Sequence, residues 1–215
     1  MRALRFFSIF FIFAVLDSCR LPFEPYTTNL EHLVPLAYGN YWMYNVRQYD
    51  EKGMVIDSFY ETVSVIDSQK DGGSMGYVVD YGTGHLGLWS EYHGDLYVVN
   101  DTNGNALPIL RYPMNPGETV PLTKGVIHDL GKFEKNLKYF GENQSVVIPT
   151  GSYSCYHYET ITMLDTSNRM QLYRTQDSYY AANVGLVEEV DSTVINGVMT
   201  RTEVRELTSY RVNDN

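Results

Sequence analysis

LVEEVDSTVINGVMTRTEVRELTSY, residues 186–210, is two runs rich in Val and Thr joined by Asn196-Gly197. Asn-Gly is a favoured two-residue hairpin loop, because both residues tolerate the positive φ that such a turn requires. The second run, Val198–Tyr210, keeps a period of two: Val198, Thr200, Thr202, Val204, Thr208 and Tyr210 share one face. Arg201, Glu203 and Arg205 share the other, so that face is expected to be wet. A helix would spread these sets around its axis, whereas an antiparallel strand keeps them apart.

The same texture extends toward the N-terminus. Met170–Asp177, Tyr153–Leu164 and Ser145–Ile148 read as strands, as do Leu96–Asn100, Leu86–Tyr92 and Tyr77–Tyr81 between glycine-containing turns. Asn103-Gly104 marks another hairpin. Met54–Asp67 is a long strand bounded by Glu51-Lys52-Gly53 and Lys70-Asp71-Gly72-Gly73. Before it, Trp42, Tyr44 and Val46 alternate with Met43, Asn45 and Arg47. One segment departs from this pattern. Ile127, Leu130, Phe133, Leu137 and Phe140 are spaced as on an amphipathic helix, although Gly131 would cost it about 1 kcal/mol. Residues 126–140 therefore stay open between helix and strand. The expected class is all-β with at most one short helix: a single curved antiparallel sheet or half-barrel built from hairpins.

Composition limits what such a sheet can do. The 215 residues carry a net charge of −10, 44% hydrophobic residues, 19 Tyr and two Cys. That excludes disorder, collagen-like sequence and a disulfide-stapled miniprotein. An acidic chain would also repel a phosphate backbone, so no nucleic-acid partner is expected. At the N-terminus, Arg2 and Arg5 precede an apolar run, Phe6–Leu16, too short to span a bilayer but suited to an export signal. Leu16-Asp17-Ser18-Cys19 resembles a bacterial lipobox, with Asp17 off the usual pattern. The resemblance implies cleavage before Cys19 and acylation (palmitate included) of its thiol, hence a membrane partner held through lipid. By resemblance to lipoprotein sorting rules, Arg20 and the lack of an acidic cluster after Cys19 imply the outer membrane, facing the periplasm rather than the outside. The expected layout is a signal peptide over 1–18, a lipidated tether over 19–35 that is rich in Pro, and one β domain over 36–215. Cys155 then has no disulfide partner and reads as a buried strand residue.

Four segments carry a family resemblance: Pro35-Leu36-Ala37-Tyr38-Gly39-Asn40-Tyr41-Trp42-Met43-Tyr44, then Val147-Ile148-Pro149-Thr150-Gly151-Ser152-Tyr153, then Tyr179-Tyr180-Ala181-Ala182-Asn183-Val184-Gly185-Leu186-Val187, and finally Glu206-Leu207-Thr208-Ser209-Tyr210. In this order they resemble a group of Gram-negative bacterial lipoproteins without an assigned activity, distantly similar to LolA-like half-barrels. The resemblance implies a curved antiparallel sheet with an apolar concave face, and favours strand just before Gly141. Asn183 stands where that group more often has Gly, and Asn tolerates the same left-handed backbone.

The remaining motifs are weak. Gly82-Thr83-Gly84-His85-Leu86-Gly87 fits G-x-G-x-x-G, but a strand follows where a dinucleotide site needs a helix N-terminus. His85, Glu91 and His93 share strand parity, and Glu91 and His93 are two apart, but a metal site would need a further ligand brought in by the fold, so solvated positions explain them better than a metal. Asp101-Thr102-Asn103-Gly104-Asn105 lacks the Gly and the acid that complete a calcium loop. No nucleophile elbow is present, and no cofactor is implied. Aromatic rings are the stronger signal. Trp42, Tyr44, Trp89, Tyr156 and Tyr158 are the candidate ligand-binding residues, because such rings supply apolar area with a polar end. Tyr156 and Tyr158 lie opposite Cys155 and His157 on one strand, so one of the two sets faces solvent or a ligand. The expected function is a non-enzymatic binding module for an apolar ligand or partner peptide. The alternatives are an assembly lipoprotein of an envelope complex and a hydrolase built from distant acids and histidines. A cavity favours the first, a filled core with an exposed aromatic patch the second, and perturbed acids in a cleft the third.

Overall fold

The computed structural model describes residues 33–71, 74–82, 84–92, 94–99, 106–127, 130–166 and 169–213. The segment expected to be a signal peptide, Cys19 and most of the expected tether lie outside the described residues, as do His93 and residues 100–105. The strands are β1 Tyr41–Asp50, β2 Val55–Asp71, β3 Ser74–Asp80, β4 Leu86–Tyr92, β5 Asp95–Val99 and β6 Ala106–Arg111 in the first half. The second half contributes β7 Thr119–Ile127, β8 Gly131–Ile148, β9 Gly151–Thr166, β10 Arg169–Ala181, β11 Gly185–Ile195 and β12 Val198–Arg211.

All twelve belong to one antiparallel sheet ordered β6-β5-β4-β3-β2-β1-β12-β11-β10-β9-β8-β7. Sequential neighbours pair as hairpins, and β1 pairs with β12 in the centre. The two edges are β6 and β7, which are consecutive in the chain, so the sheet curls until its edges approach and leaves one seam between them. Twist accumulating over many strands is what curls a wide sheet in this way. At the β5–β6 side of the seam, Arg111 donates Nε to Asp95 Oδ1 at 2.7 Å and its terminal nitrogen to Oδ2 at 2.8 Å. This fork ties the edge strand to its neighbour.

The decisive hairpin forms as its turn residues require. Asn196 and Gly197 hold φ of 53° and 77° between β11 and β12. Asn183 is also left-handed, at φ 60°. On β1, Trp42, Tyr44 and Val46 point to the concave side, 4%, 4% and 0% exposed, while Met43, Asn45 and Arg47 are half-buried.

Three expectations change. Residues 131–148 are one strand, so the helical alternative over 126–140 is overturned. On β8 the buried-side residues are Phe133, Lys135, Leu137 and Tyr139, a strict alternation that the inward Lys disguised in the sequence. Second, the charged side of β12 is wet only near the start of the strand, where Arg201 is exposed: Arg205 shares parity with the fully buried Leu207 and is paired to carboxylates inside the half-barrel. Third, Leu33 and Val34, assigned by sequence to the tether, are 1% and 7% exposed and belong to the core together with Leu36. Asn40 anchors this entering segment, donating Nδ2 to the Pro35 carbonyl at 2.7 Å and accepting from the Asn213 N–H at 2.8 Å.

Candidate functional site

The curl leaves a hollow of about 260 Å³ on the concave face, partly open to solvent. Its volume falls near the lower end of small-molecule pockets, about 300 Å³. The strand parities that fill an ordinary barrel interior place the lining. Its aliphatic lining includes Leu36, Val63, Val79, Leu96, Leu110 and Leu137. Four of the five sequence candidates, Trp42, Tyr44, Trp89 and Tyr158, come together around the same hollow although they derive from β1, β4 and β9. Tyr156 does not line it. Tyr156 instead packs edge-on against Tyr112, with ring centroids 5.7 Å apart.

The rings are held by their polar ends. Trp42 donates its indole N–H to the Val184 carbonyl, and Tyr44 donates to the Leu186 carbonyl at 3.2 Å, so both anchor to the turn and start of β11. Trp89 donates to the Tyr81 hydroxyl at 2.7 Å. Tyr158 stacks at a tilt on Tyr139 at 4.7 Å and meets Tyr180 edge-on at 6.0 Å. Its hydroxyl is buried without a hydrogen-bond partner among the described residues. Burial pushes the Tyr44, Tyr158 and Tyr180 phenols well above their ordinary range, so they stay neutral at any physiological pH.

A charged belt lies beside Tyr44, whose cross-strand neighbour on β2 is Glu61. Arg205 donates to Glu189 Oε1 at 2.6 Å, and its Nε lies 2.9 Å from Glu61 Oε2. Gln176 also donates to Glu189, at 2.6 Å. The Arg205 guanidinium lies 5.9 Å from the Tyr44 ring centroid. Burial works to lower the Arg205 pKa, but Glu189, Glu61 and Glu203 outweigh it and raise the value. The belt is therefore a permanently charged cation clamped between acids from β2 and β11.

Lys135 stands apart. It lines the hollow without a carboxylate within ion-pair distance among the described residues. Burial, and then the nearby Arg174, hold its ammonium below the usual range. A smaller cleft of about 180 Å³ adjoins through Lys135, Thr160 and Gln176, and adds Thr162, Tyr173 and Arg174. Arg174 is already committed to Asp191, with Nε donating at 2.6 Å.

The polar lining, Glu61, Lys135, Gln176, Glu189 and Arg205, escaped sequence reasoning. Each sits at an inward parity, and a charge at such a position is the signal of a lined cavity. In the sequence it is indistinguishable from a wet face.

The opposite side of β9 carries different chemistry. His157 stacks between Phe140 and Tyr179, with centroids 4.6 and 4.5 Å away, and its Nε2 meets Asp177 Oδ1 at 2.7 Å. Cys155, two residues away at the same parity, is fully buried, and burial pushes its thiol up to about 11. A nucleophilic cysteine needs the reverse shift. Among the described residues, no group of three or more His, Cys, Asp or Glu is placed to hold a metal ion. His85 is exposed and Glu91 is buried, so the two do not share an environment.

No protein-family model matches the chain, and no curated protein matches it. Among solved structures, a Bacteroides fragilis protein with a YmcC-like fold is similar at 13% identity and a TM-score of 0.49, covering 83% of this chain and 99% of its own. A predicted lipoprotein of Parabacteroides distasonis is similar at 15% identity and a TM-score of 0.47, covering 81% and 97%. A LolA-superfamily protein of Nitrosomonas europaea is similar at 10% identity and a TM-score of 0.32, covering 86% and 90%. At that level of likeness nothing of those proteins' biology is carried over to this chain.

Proposed function

We propose that this chain is an exported, lipid-anchored binding protein whose half-closed sheet holds an apolar ligand on its concave face. The carrying observation is the hollow itself, where Trp42, Tyr44, Trp89 and Tyr158 converge with aliphatic residues from both halves of the sheet. Space of this size between packed side chains forfeits dispersion contacts throughout its lining, and a ligand restores them. Export and anchoring are supported by the Phe6–Leu16 run and the Leu16-Asp17-Ser18-Cys19 pattern. Placement on the periplasmic side of the outer membrane rests on Arg20 and the residues after it.

Native mass spectrometry of residues 21–215, recovered from a bacterial periplasm, tests the binding reading. A retained small-molecule adduct that is lost when Trp42 and Trp89 are both replaced by Ala supports it. A clean apo mass, together with no binding of hydrophobic dyes, sinks it. Anchoring is tested separately: Cys19→Ser should abolish acyl labelling and release the chain from membranes, and continued attachment without label refutes it.

A second reading has its own observation. Met54, Val55 and Ile56 at the β1–β2 tip and Ile195, Val198 and Met199 at the β11–β12 tip are each more than half exposed. The β1–β12 register brings these two tips to the same end of the sheet. An apolar rim of this kind suits the assembly role, in which the chain docks to an envelope partner.

A further inference from the structure

The hollow and the smaller cleft share Lys135, Thr160 and Gln176, so an apolar space runs into one lined by hydroxyls and cations. Most of the charge there is already spoken for. Arg205 is clamped by Glu61 and Glu189, and Arg174 by Asp191. Glu61 Oε2 and Arg205 Nε both lack good hydrogen-bond geometry, but they face each other at 2.9 Å and so neutralise one another. Two groups remain unmet, and both can donate. One is the half-buried Lys135 ammonium, which feels Asp191 and Glu189 but has no carboxylate within ion-pair distance among the described residues; the other is the Tyr158 hydroxyl, 1% exposed as a residue and without a partner among those residues. A buried hydroxyl without a partner is costly, and a half-buried ammonium gains from an anion placed beside it.

We propose that the occupant is a single-chain amphiphile with an anionic head, its chain among Trp42, Trp89, Leu96 and Leu137 and its carboxylate or phosphate against Lys135. The inference rests on the concave hollow being the ligand site. A cationic head would meet Lys135 and Arg174, while the acids of the belt already hold Arg205. A neutral head would leave the ammonium unmet. The anion also answers the burial that depresses the Lys135 pKa, since a nearby negative charge favours its protonated form.

The test uses the full chain, stabilised in an amphipathic polymer, and its own fluorescence. The sequence contains two Trp, and both line the hollow. Dibrominated eighteen-carbon probes quench a Trp only on close approach, and four heads are compared: carboxylate, lysophosphatidate, alcohol and amine. At least one anionic probe should half-saturate about tenfold below the alcohol and the amine, equivalent to about 1.4 kcal/mol. Whichever anion binds tighter identifies the head. Lys135→Met should bring the anionic probe to the level of the alcohol, and Lys135→Arg should keep the advantage. Equal binding of the amine, or an anionic advantage that survives Lys135→Met, overturns the proposal. An alcohol that quenches as well as the anions overturns the head assignment and leaves the apolar site standing. No quenching by any probe overturns both. The four-probe comparison on the unaltered chain decides even where a variant fails to fold.

Discussion

Arg205→Met puts the sharpest strain on the tertiary arrangement. The sequence places Arg205 on a solvated face, where replacing a charge moves stability by less than about 0.5 kcal/mol. The structure places it between Glu61 and Glu189, with its side chain 24% exposed. Removing the cation leaves Glu61 and Glu189 without the charge to which both are paired. Breaking one partner out of a buried pair costs about 3–5 kcal/mol, and the partial exposure here argues for the lower figure, about 3 kcal/mol. With a urea slope of about 2 kcal/mol/M, the unfolding midpoint should fall by about 1.5 M at pH 7.5. Glu61→Gln added to Arg205→Met should recover part of the loss at pH 7.5. A midpoint shift below about 0.25 M would refute the buried belt and return Arg205 to solvent.

Gly185→Ala should destabilise by about 1–3 kcal/mol, because φ is 101° there and a Cβ would lie 3.0 Å from Trp42 Nε1. Urea titration reads the loss, and a changed Trp emission maximum locates it at the hollow; an unaffected spectrum and midpoint would contradict the packing of Trp42. Above pH 9 the fold should weaken. The Cys155 thiol is raised from 9.0 to about 11, and the Tyr44, Tyr158 and Tyr180 phenols are pushed up by burial as well. Each is an acid whose folded pKa exceeds its unfolded one. The stability it lends is full below the unfolded value and is lost as the pH rises through the folded one. In a Cys19→Ser background, iodoacetamide at pH 8 should label Cys155 only as fast as the chain unfolds. Labelling at the rate of an exposed thiol would show that Cys155 is not in the core.

Much of the fold was legible because strand periodicity is local. Trp42, Tyr44 and Val46 announce an inward face by themselves, and Asn196-Gly197 selects a hairpin turn from the φ values those two residues accept. The short strand β6, the strand β7 and the first half of β8 were not legible. Lys135 occupies an inward position between Phe133 and Leu137, and it broke the apolar alternation enough to let a helical spacing compete. Of the candidate site, the rings were found and the charges were not. Trp and Tyr are large enough to suggest a binding face wherever they stand, whereas Arg205 in a strand is read as solvated unless its neighbours are known.

By its own pattern the sequence determined an antiparallel β chain made of hairpins and an aromatic-rich inner face, since each depends on residues close together along the chain. The tertiary structure decided the rest. Pairing β1 with β12 set the order of the sheet, and its curl carried Glu61, Lys135, Glu189 and Arg205 from four separate strands to one concave surface. A strand's period of two says only that two residues share a side. Which side encloses space, and whether a charge there meets water or another charge, is settled by strands far apart in sequence closing over it.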